Sequence, residues 1–356
     1  MTDFSRERAY PHVVSVGTDT PHRCYSQRDI LELFRVSDPK IRSIFDNSHI
    51  NNRYLYLPDV DDQGNMPTES SLALANKHRE KALAIGSSAI LRALQPLGLS
   101  VRDVDYFACV TSTGFLCPSL TAHFIAEMGF RQDVHRIDVV GMGCNGGLNA
   151  LQPVVTYCAM DEGTIGLELC VEVCSAAYVI DGTLNTAVVN SLFGDGAAAA
   201  VVAAPSPRPH CRTPRILGFS SHIIPAAIGA MRFDFDGARF AFHLDKQVPY
   251  VIGEHVHVPV NALLARFGIK RRDISHWVIH SGGRKVIDSI KYSLGLSDHD
   301  VRHTHGVLQD FGNLSSGSFL FSLDRLMRDD DIAKGDFVLL MTMGPGSTIE
   351  CCLGTF

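Results

Sequence analysis

Three segments from the first half of the chain recur in the second half in the same order. "DVDYFACVTSTG" (Asp103 to Gly114) and "DISHWVIHSGG" (Asp273 to Gly283) each begin with an acid, run through an apolar strand and end in small residues. "GMGCNGGLNAL" (Gly141 to Leu151) and "FGNLSSGSFLFSL" (Phe311 to Leu323) are Gly-containing turns that enter a helix. "GLELCVEVCS" (Gly166 to Ser175) and "GDFVLLMTMGPGS" (Gly335 to Ser347) are apolar strands that run into a turn. Strand-turn-helix pieces are common; their shared order is what predicts an internal duplication with corresponding turns facing each other. Cys144, His280 and Asn313 lie in three of those turns and are expected in one site.

The rest of the chain fits a layered α/β protein. Strand-like runs such as "YPHVVSVGT" and "RIDVVG" alternate with helical patterns such as "HREKALAIGSSAILRALQPLG", which suggests strands buried on both faces. "AAPSPRPHCRTPR" (Ala203 to Arg215) is a Pro- and Arg-rich break, so the expected halves are residues 1–205 and 206–356. At 46% apolar and 20% charged, the 356 residues can bury a large core, and a net charge of -6 with no basic stripe gives no sign of nucleic-acid binding. The longest apolar runs predict no membrane-spanning helix, and the first residues lack the apolar stretch of a secretion signal. A cytoplasmic protein is expected. Ten cysteines follow no regular spacing, which suits reduced thiols. His255 with His257 and His303 with His305 lack partner pairs for zinc, so no metal and no cofactor are expected.

The loop Val139 to Leu151 admits more than one reading. Gly141, Gly143 and Gly146 have the G-x-G-x-x-G spacing of a dinucleotide-binding turn. That fingerprint belongs in a first βα unit, and here it falls deep in the chain. The other reading is a presented thiol: Cys144 at a helix start, where the dipole favours thiolate, with flanking glycines that let a substrate approach. On this reading Cys144 is the most reactive thiol of the chain. A buried core cysteine is the plain alternative.

His280 closes an apolar strand just before Gly282 and Gly283, where α/β proteins place their chemistry. Asn313 precedes a helix and could simply cap it. Together Cys, His and Asn suit acyl transfer from a thioester: the thiolate takes the acyl group, while the His and Asn N–H groups stabilise an enolate.

With "NSLFGDGAAAA", "WVIHSGG", "GNLSSGS" and "MGPGSTIE" added in order to the Cys144 loop, nearly the whole chain resembles the type III polyketide synthases of the chalcone-synthase superfamily. That resemblance implies the thiolase fold, a duplicated αβαβα five-layer sandwich, and a homodimer. It implies Cys144 as nucleophile with His280 and Asn313 as its catalytic partners. Phe193 and Phe242 match two aromatic gatekeepers between a coenzyme A tunnel and a cavity; ordinary core packing is the alternative for each. Ala177, Ser315, Gly344, Pro345 and Gly346 match cavity positions. Lys40 and Arg42 match phosphate-contacting positions, although a solvated helix face accounts for them equally well.

Other segments, among them "DPKIRSIFDNSHINNRYLYLP" and "VTSTGFLCPSL", look most like bacterial 3,5-dihydroxyphenylacetyl-CoA synthases of antibiotic biosynthesis. This implies malonyl-CoA as starter and extender, four units in all, with acyl-CoA intermediates. Pyrone, resorcinol or naphthalene products are the alternatives within the family. Ser281 stands where the family usually has Pro, and Ala177 where plant members carry Thr. A ketoacyl-ACP synthase III would use the same three residues. A hydroxymethylglutaryl-CoA synthase needs a Glu acid/base, whereas Glu172 reads as a structural residue behind the site. A non-catalytic acyl-CoA-binding member is disfavoured by the intact Cys144, His280 and Asn313.

Overall fold

The computed structural model describes residues 10–177, 183–204, 212–235, 240–329 and 331–356. The expected boundary between residues 205 and 206 lies outside the described residues. The first half runs β1 (His12–Asp19), β2 (Cys24–Ser26), α1 (Gln27–Leu33), α2 (Pro39–Asp46), β3 (Asn52–Tyr54), α3 (Ser71–Leu94), β4 (Tyr106–Thr111), α4 (Leu120–Met128), β5 (His135–Val140), α5 (Gly146–Cys158), β6 (Ile165–Glu172), α6 (Leu184–Leu192) and β7 (Gly196–Ala203). The second runs β8 (Arg215–Ile223), β9 (Met231–Phe235), β10 (Phe240–Leu244), α7 (Val248–His255), α8 (His257–Phe267), β11 (Ile274–Ile279), α9 (Arg284–Leu294), α10 (Arg302–Phe311), α11 (Ser318–Met327), β12 (Phe337–Gly344) and β13 (Thr348–Thr355).

Nine strands share one continuous order, β11-β12-β13-β8-β1-β7-β6-β4-β5. The join between β8 and β1 is a single register pair, His12 with Arg215, so two sheets meet at an edge. In one, β4 is parallel to β6, β6 antiparallel to β7 and β7 antiparallel to β1. In the other, β11 is parallel to β12, β12 antiparallel to β13 and β13 antiparallel to β8. Four strands therefore repeat in order and sense, and β5 extends only the first sheet. The paired segments of the sequence fall on corresponding elements: β4 with β11, α5 with α11, and β6 with β12.

Side-chain alternation along the strands sorts the core into layers. Val110, Cys170, Ala198 and Ala200 from the first sheet meet Val278, Leu340 and Cys352 from the second across Leu148, Leu151, Phe319 and Leu323 of α5 and α11. On the far face of the first sheet, Leu167, Leu169, Ala197 and Ala199 pack on Ala82, Ile85 and Ala89 of α3. On the far face of the second, Leu339, Met341 and Ile349 pack on Ile252, Val260, Leu263 and Ile287 of α7, α8 and α9. The result is the five-layer αβαβα sandwich. Most of α11 is buried, as a central helix must be. A close approach fixes Gly17 on β1: a Cβ there would lie 2.4 Å from Ala93 N of α3. Among the described residues no helix is long and apolar enough to cross a membrane.

Candidate active site

Cys144 sits in a short 3-10 turn, Gly143–Asn145, that leads into α5. The thiol is 8% exposed, and its Sγ lies 3.6 Å from Ser315 Oγ. The loop is a packed turn. A Cβ on Gly143 (φ +66°) would come within 2.5 Å of Pro345 Cδ, and one on Gly146 within 2.8 Å of Val110 Cγ1. The missing Cβ atoms make room for Pro345 and Val110; Gly143 also borders the small cavity beside Cys144, whereas Gly146 lines neither cavity at the thiol, so the expectation of a cleared approach is corrected for Gly146.

His280 follows the last residue of β11 and extends its ladder, its N donating to Met341 O at 2.8 Å. The ring is 2% exposed. Asn313 occupies the matching turn between α10 and α11. Its backbone is tied to the end of α6: Asn313 N donates to Leu192 O at 2.8 Å, and Gly194 N donates to Asn313 O at 3.0 Å. Its Oδ1 accepts from Ser315 N at 2.8 Å, a turn contact two residues on; the N-caps of the 3-10 turn and of α11 are Leu314 and Gly317, so Asn313 caps neither. That bond also turns the amide nitrogen the other way, where Nδ2 donates to Gly282 O at 3.3 Å and supports the Cys144 sulfur. Accepting and donating are thus two ends of one side chain.

Two cavities meet at the thiol. The larger, about 670 Å³, is lined by Cys144, His280, Asn313, Phe193 and Phe242, and reaches Lys246, Arg284 and Lys285. The smaller, about 40 Å³, is lined by Cys144, Ala177, Ser315 and Pro345 together with Phe193 and Phe242. The two phenylalanines border both spaces and meet edge to face, with centroids 5.7 Å apart. Phe242 also stacks at a tilt on Phe233, at 5.0 Å, within the β9–β10 hairpin. Gly344 ends β12, and Pro345 and Gly346 lie in the turn to β13. Pro345 lines the inner space, while Gly344 packs on Asn145, where a Cβ would lie 2.3 Å from Oδ1.

Lys40 and Arg42 are placed elsewhere. Ser43, Ile44 and Asn47 of the same helix region line the large cavity, whereas Lys40 is exposed and Arg42 Nη1 donates to Val36 O at 2.9 Å. Neither lines a cavity that reaches Cys144.

Burial governs the electrostatics. It pushes the Cys144 thiol up to about 12, against the opposing pull of its bond to Ser315, and holds the His280 imidazole down at about 3. In both groups the loss of water around the charged form is the largest cause of the shift.

Behind the thiol lies a polar chain that joins Ser315 and Glu172, both expected near the site, through Ser112 and Ser316, which the sequence did not single out. Ser315 Oγ is 3.0 Å from Ser112 Oγ. Ser112 Oγ donates to Glu172 Oε1 at 2.9 Å, and Ser316 Oγ donates to the same oxygen at 2.6 Å. Glu172 is fully buried, and burial raises its pKa. The available signal for Ser112 was its place in "TSTG", the polar end of a parallel strand. Ser315 itself sits at φ +49°, a costly conformation for a residue with a Cβ. The structure holds it there through Asn313 and the Ser316–Glu172 contact.

Residues 2–206 match the chalcone and stilbene synthase N-terminal domain, and residues 217–354 match the C-terminal domain. The chain belongs to the chalcone and stilbene synthase family. It is a type III polyketide synthase, an acyltransferase of the thiolase fold. The synthase is 51% identical over 340 residues to a 3,5-dihydroxyphenylacetyl-CoA synthase of Amycolatopsis orientalis, covering 95% of this chain and 91% of that protein. It is 49% identical over 348 residues to one from Streptomyces toyocaensis, covering 96% and 89%. Its fold matches the crystal structure of 1,3,6,8-tetrahydroxynaphthalene synthase from Streptomyces coelicolor with a TM-score of 0.88 at 26% identity, over 96% of this chain and 98% of that one.

Proposed function

We propose that this synthase builds 3,5-dihydroxyphenylacetyl-CoA from four malonyl-CoA, with Cys144 as the acyl carrier. The observation that carries the mechanism is the single cavity lined by Cys144, His280 and Asn313. A malonyl thioester enters from the mouth, and His280 takes the thiol proton as the sulfur attacks the carbonyl. A coenzyme A thiolate leaves with that proton. A second malonyl thioester then loses carbon dioxide, and its enolate oxygen is held by N–H donors of His280 and Asn313. The enolate carbon attacks the Cys144 thioester, which extends the chain on coenzyme A and frees the sulfur. Phe193 and Phe242 separate the loading space from the inner space, where Ala177, Ser315 and Pro345 shape the growing chain. The similarity to the 3,5-dihydroxyphenylacetyl-CoA synthases supports the product.

Coenzyme A thioesters are substrates in this reading, and no cofactor, metal, nucleic acid or membrane takes part. A cytoplasmic location goes with reduced thiols. A homodimer is part of the reading. Strand β5 ends the sheet order and exposes Ile137 and Val140; an open apolar strand edge is stable when a second copy covers it. The test is incubation with malonyl-CoA alone, followed by mass spectrometry. A dihydroxyphenylacetyl product is expected, and a pyrone or naphthalene as sole product overturns that assignment.

A further inference from the structure

The helix that ends at Phe193 is held by residues from outside it. The last carbonyls of an α-helix have no partner within the helix. At the end of α6 three of them find one elsewhere: Arg53 Nη1 donates to Asn190 O, Gln27 Nε2 to Ser191 O at 2.8 Å, and Asn313 N to Leu192 O at 2.8 Å. Arg53 Nη1 also donates to the oxygen of Phe193, the C-cap residue, at 3.1 Å. A cation suits this place, because the helix dipole is negative at its C-terminus. The other arm of the guanidinium, Nη2, donates to Gln27 Oε1 at 2.7 Å, and Gln27 Nε2 also donates to Ser48 Oγ at 2.7 Å. Both residues are buried. Burying a guanidinium is costly unless its donors are matched in place, and here they are matched by the backbone of α6.

The held segment is the wall between the two cavities. Ser191 and Leu192 line the large one, Val189 and Asn190 the small one, and Phe193 both. The stem of Arg53 also packs under the turn that carries Asn313: a Cβ on Gly312 (φ +74°) would lie 3.0 Å from Arg53 Cγ and 2.6 Å from Leu192 O. Neither Arg53 nor Gln27 lines either cavity. We propose that Arg53, braced by Gln27, is a positioning residue that fixes where Phe193 stands and how Asn313 is aimed, and so sets chain length and decarboxylation without touching substrate. This deepens the functional reading above and rests on it for the roles of Phe193 and Asn313. The planar fork is what the place requires. Lysine carries the same charge but cannot hold Phe193 O and Gln27 Oε1 in one fixed plane.

The test is Arg53→Lys with malonyl-CoA as substrate. Its kcat is expected to fall roughly 10- to 100-fold, the effect of a displaced reacting geometry, with KM unchanged and a shift in the chain length of the released polyketides. In a Phe193→Ala background Arg53→Lys should no longer change chain length, because both act through one ring. A residue that only stabilises the fold would lower the melting temperature and leave the product profile alone. Gln27→Met keeps the volume and drops the bonds to Ser48, Ser191 and Arg53. It gives a smaller change of the same kind and decides the matter if Arg53→Lys does not fold. An unchanged product profile in the folded variants overturns the proposal, as does a full-sized shift by Arg53→Lys in the Phe193→Ala background. If the unsubstituted enzyme makes no polyketide from malonyl-CoA, the functional reading fails by itself. A crystal structure of Arg53→Lys then decides the positioning role: displaced Phe193 and Asn313 support it, and unmoved ones overturn it.

Discussion

Phe193 and Asn313 face each other across an isolated parallel bridge. Arg53, fully buried, donates through Nη1 to the carbonyl oxygens of Asn190 and Phe193, the latter at 3.1 Å. The gate between the two cavities and the amide beside the thiol are therefore parts of one backbone unit, although they are far apart in sequence.

Asn313 does two jobs with its two amide ends, and two substitutions separate them. Asn313→Asp keeps an acceptor for Ser315 N, whereas Asn313→Ala loses it. Both should retain acyl transfer to Cys144 and lose malonyl decarboxylation by roughly 10²–10³, the scale of one oxyanion donor. The alanine variant should also be less stable, by about 1 kcal/mol, because Ser315 N loses its acceptor. Intact-protein mass and carbon dioxide release are the readouts for the chemistry, and urea denaturation for the stability. Wild-type decarboxylation in either variant removes Asn313 from the mechanism.

Cys144→Ala should abolish polyketide formation. The thiol is buried, while Cys24 and Cys117 are exposed free thiols, so exposure alone predicts that iodoacetamide finds those two first. Fast labelling of Cys144 near pH 7 then requires His280 to accept its proton. In His280→Ala, labelling of Cys144 should drop below that of Cys24 and Cys117 and recover only in strong alkali, since burial pushes the thiol up to about 12. Equal labelling of Cys144 with and without His280 would show that the imidazole does not activate it.

Phe193 and Phe242 border both cavities. Alanine at either position should merge the two spaces and shift starter choice or chain length while the protein stays folded. Product profiles and a thermal melt are read together. A lower melting temperature with an unchanged profile assigns these rings to core packing.

Glu168 on β6 is completely buried, and burial pushes its carboxyl up to about 8. The native state therefore keeps a proton that the unfolded chain has released, and stability falls as pH rises from the ordinary carboxylate range toward 8. Glu168→Gln should flatten that slope and gain most near pH 8. Denaturant midpoints at pH 5 and pH 8 for both proteins provide the measurement, and parallel pH dependence in the two would refute it.

The duplication was legible from sequence because strand, turn and helix each leave a local mark, and their shared order is itself a long-range signal. The same order brought Cys144, His280 and Asn313 together, since equivalent turns of two equivalent halves meet at one face. Sequence pattern by itself therefore determined a duplicated α/β chain and the three chemical groups, and the family resemblance added the five layers. Only the tertiary structure decided their setting. It spent the Gly143 and Gly146 positions on Pro345 and Val110, aimed the Asn313 amide through Ser315, and linked Ser112 to Glu172 behind the thiol. It also put Arg284 and Lys285, not Lys40 and Arg42, on the cavity that leads to Cys144. Residue type and spacing carry chemistry and period. They do not carry burial, and burial pushes the Cys144 thiol up and holds the His280 imidazole down.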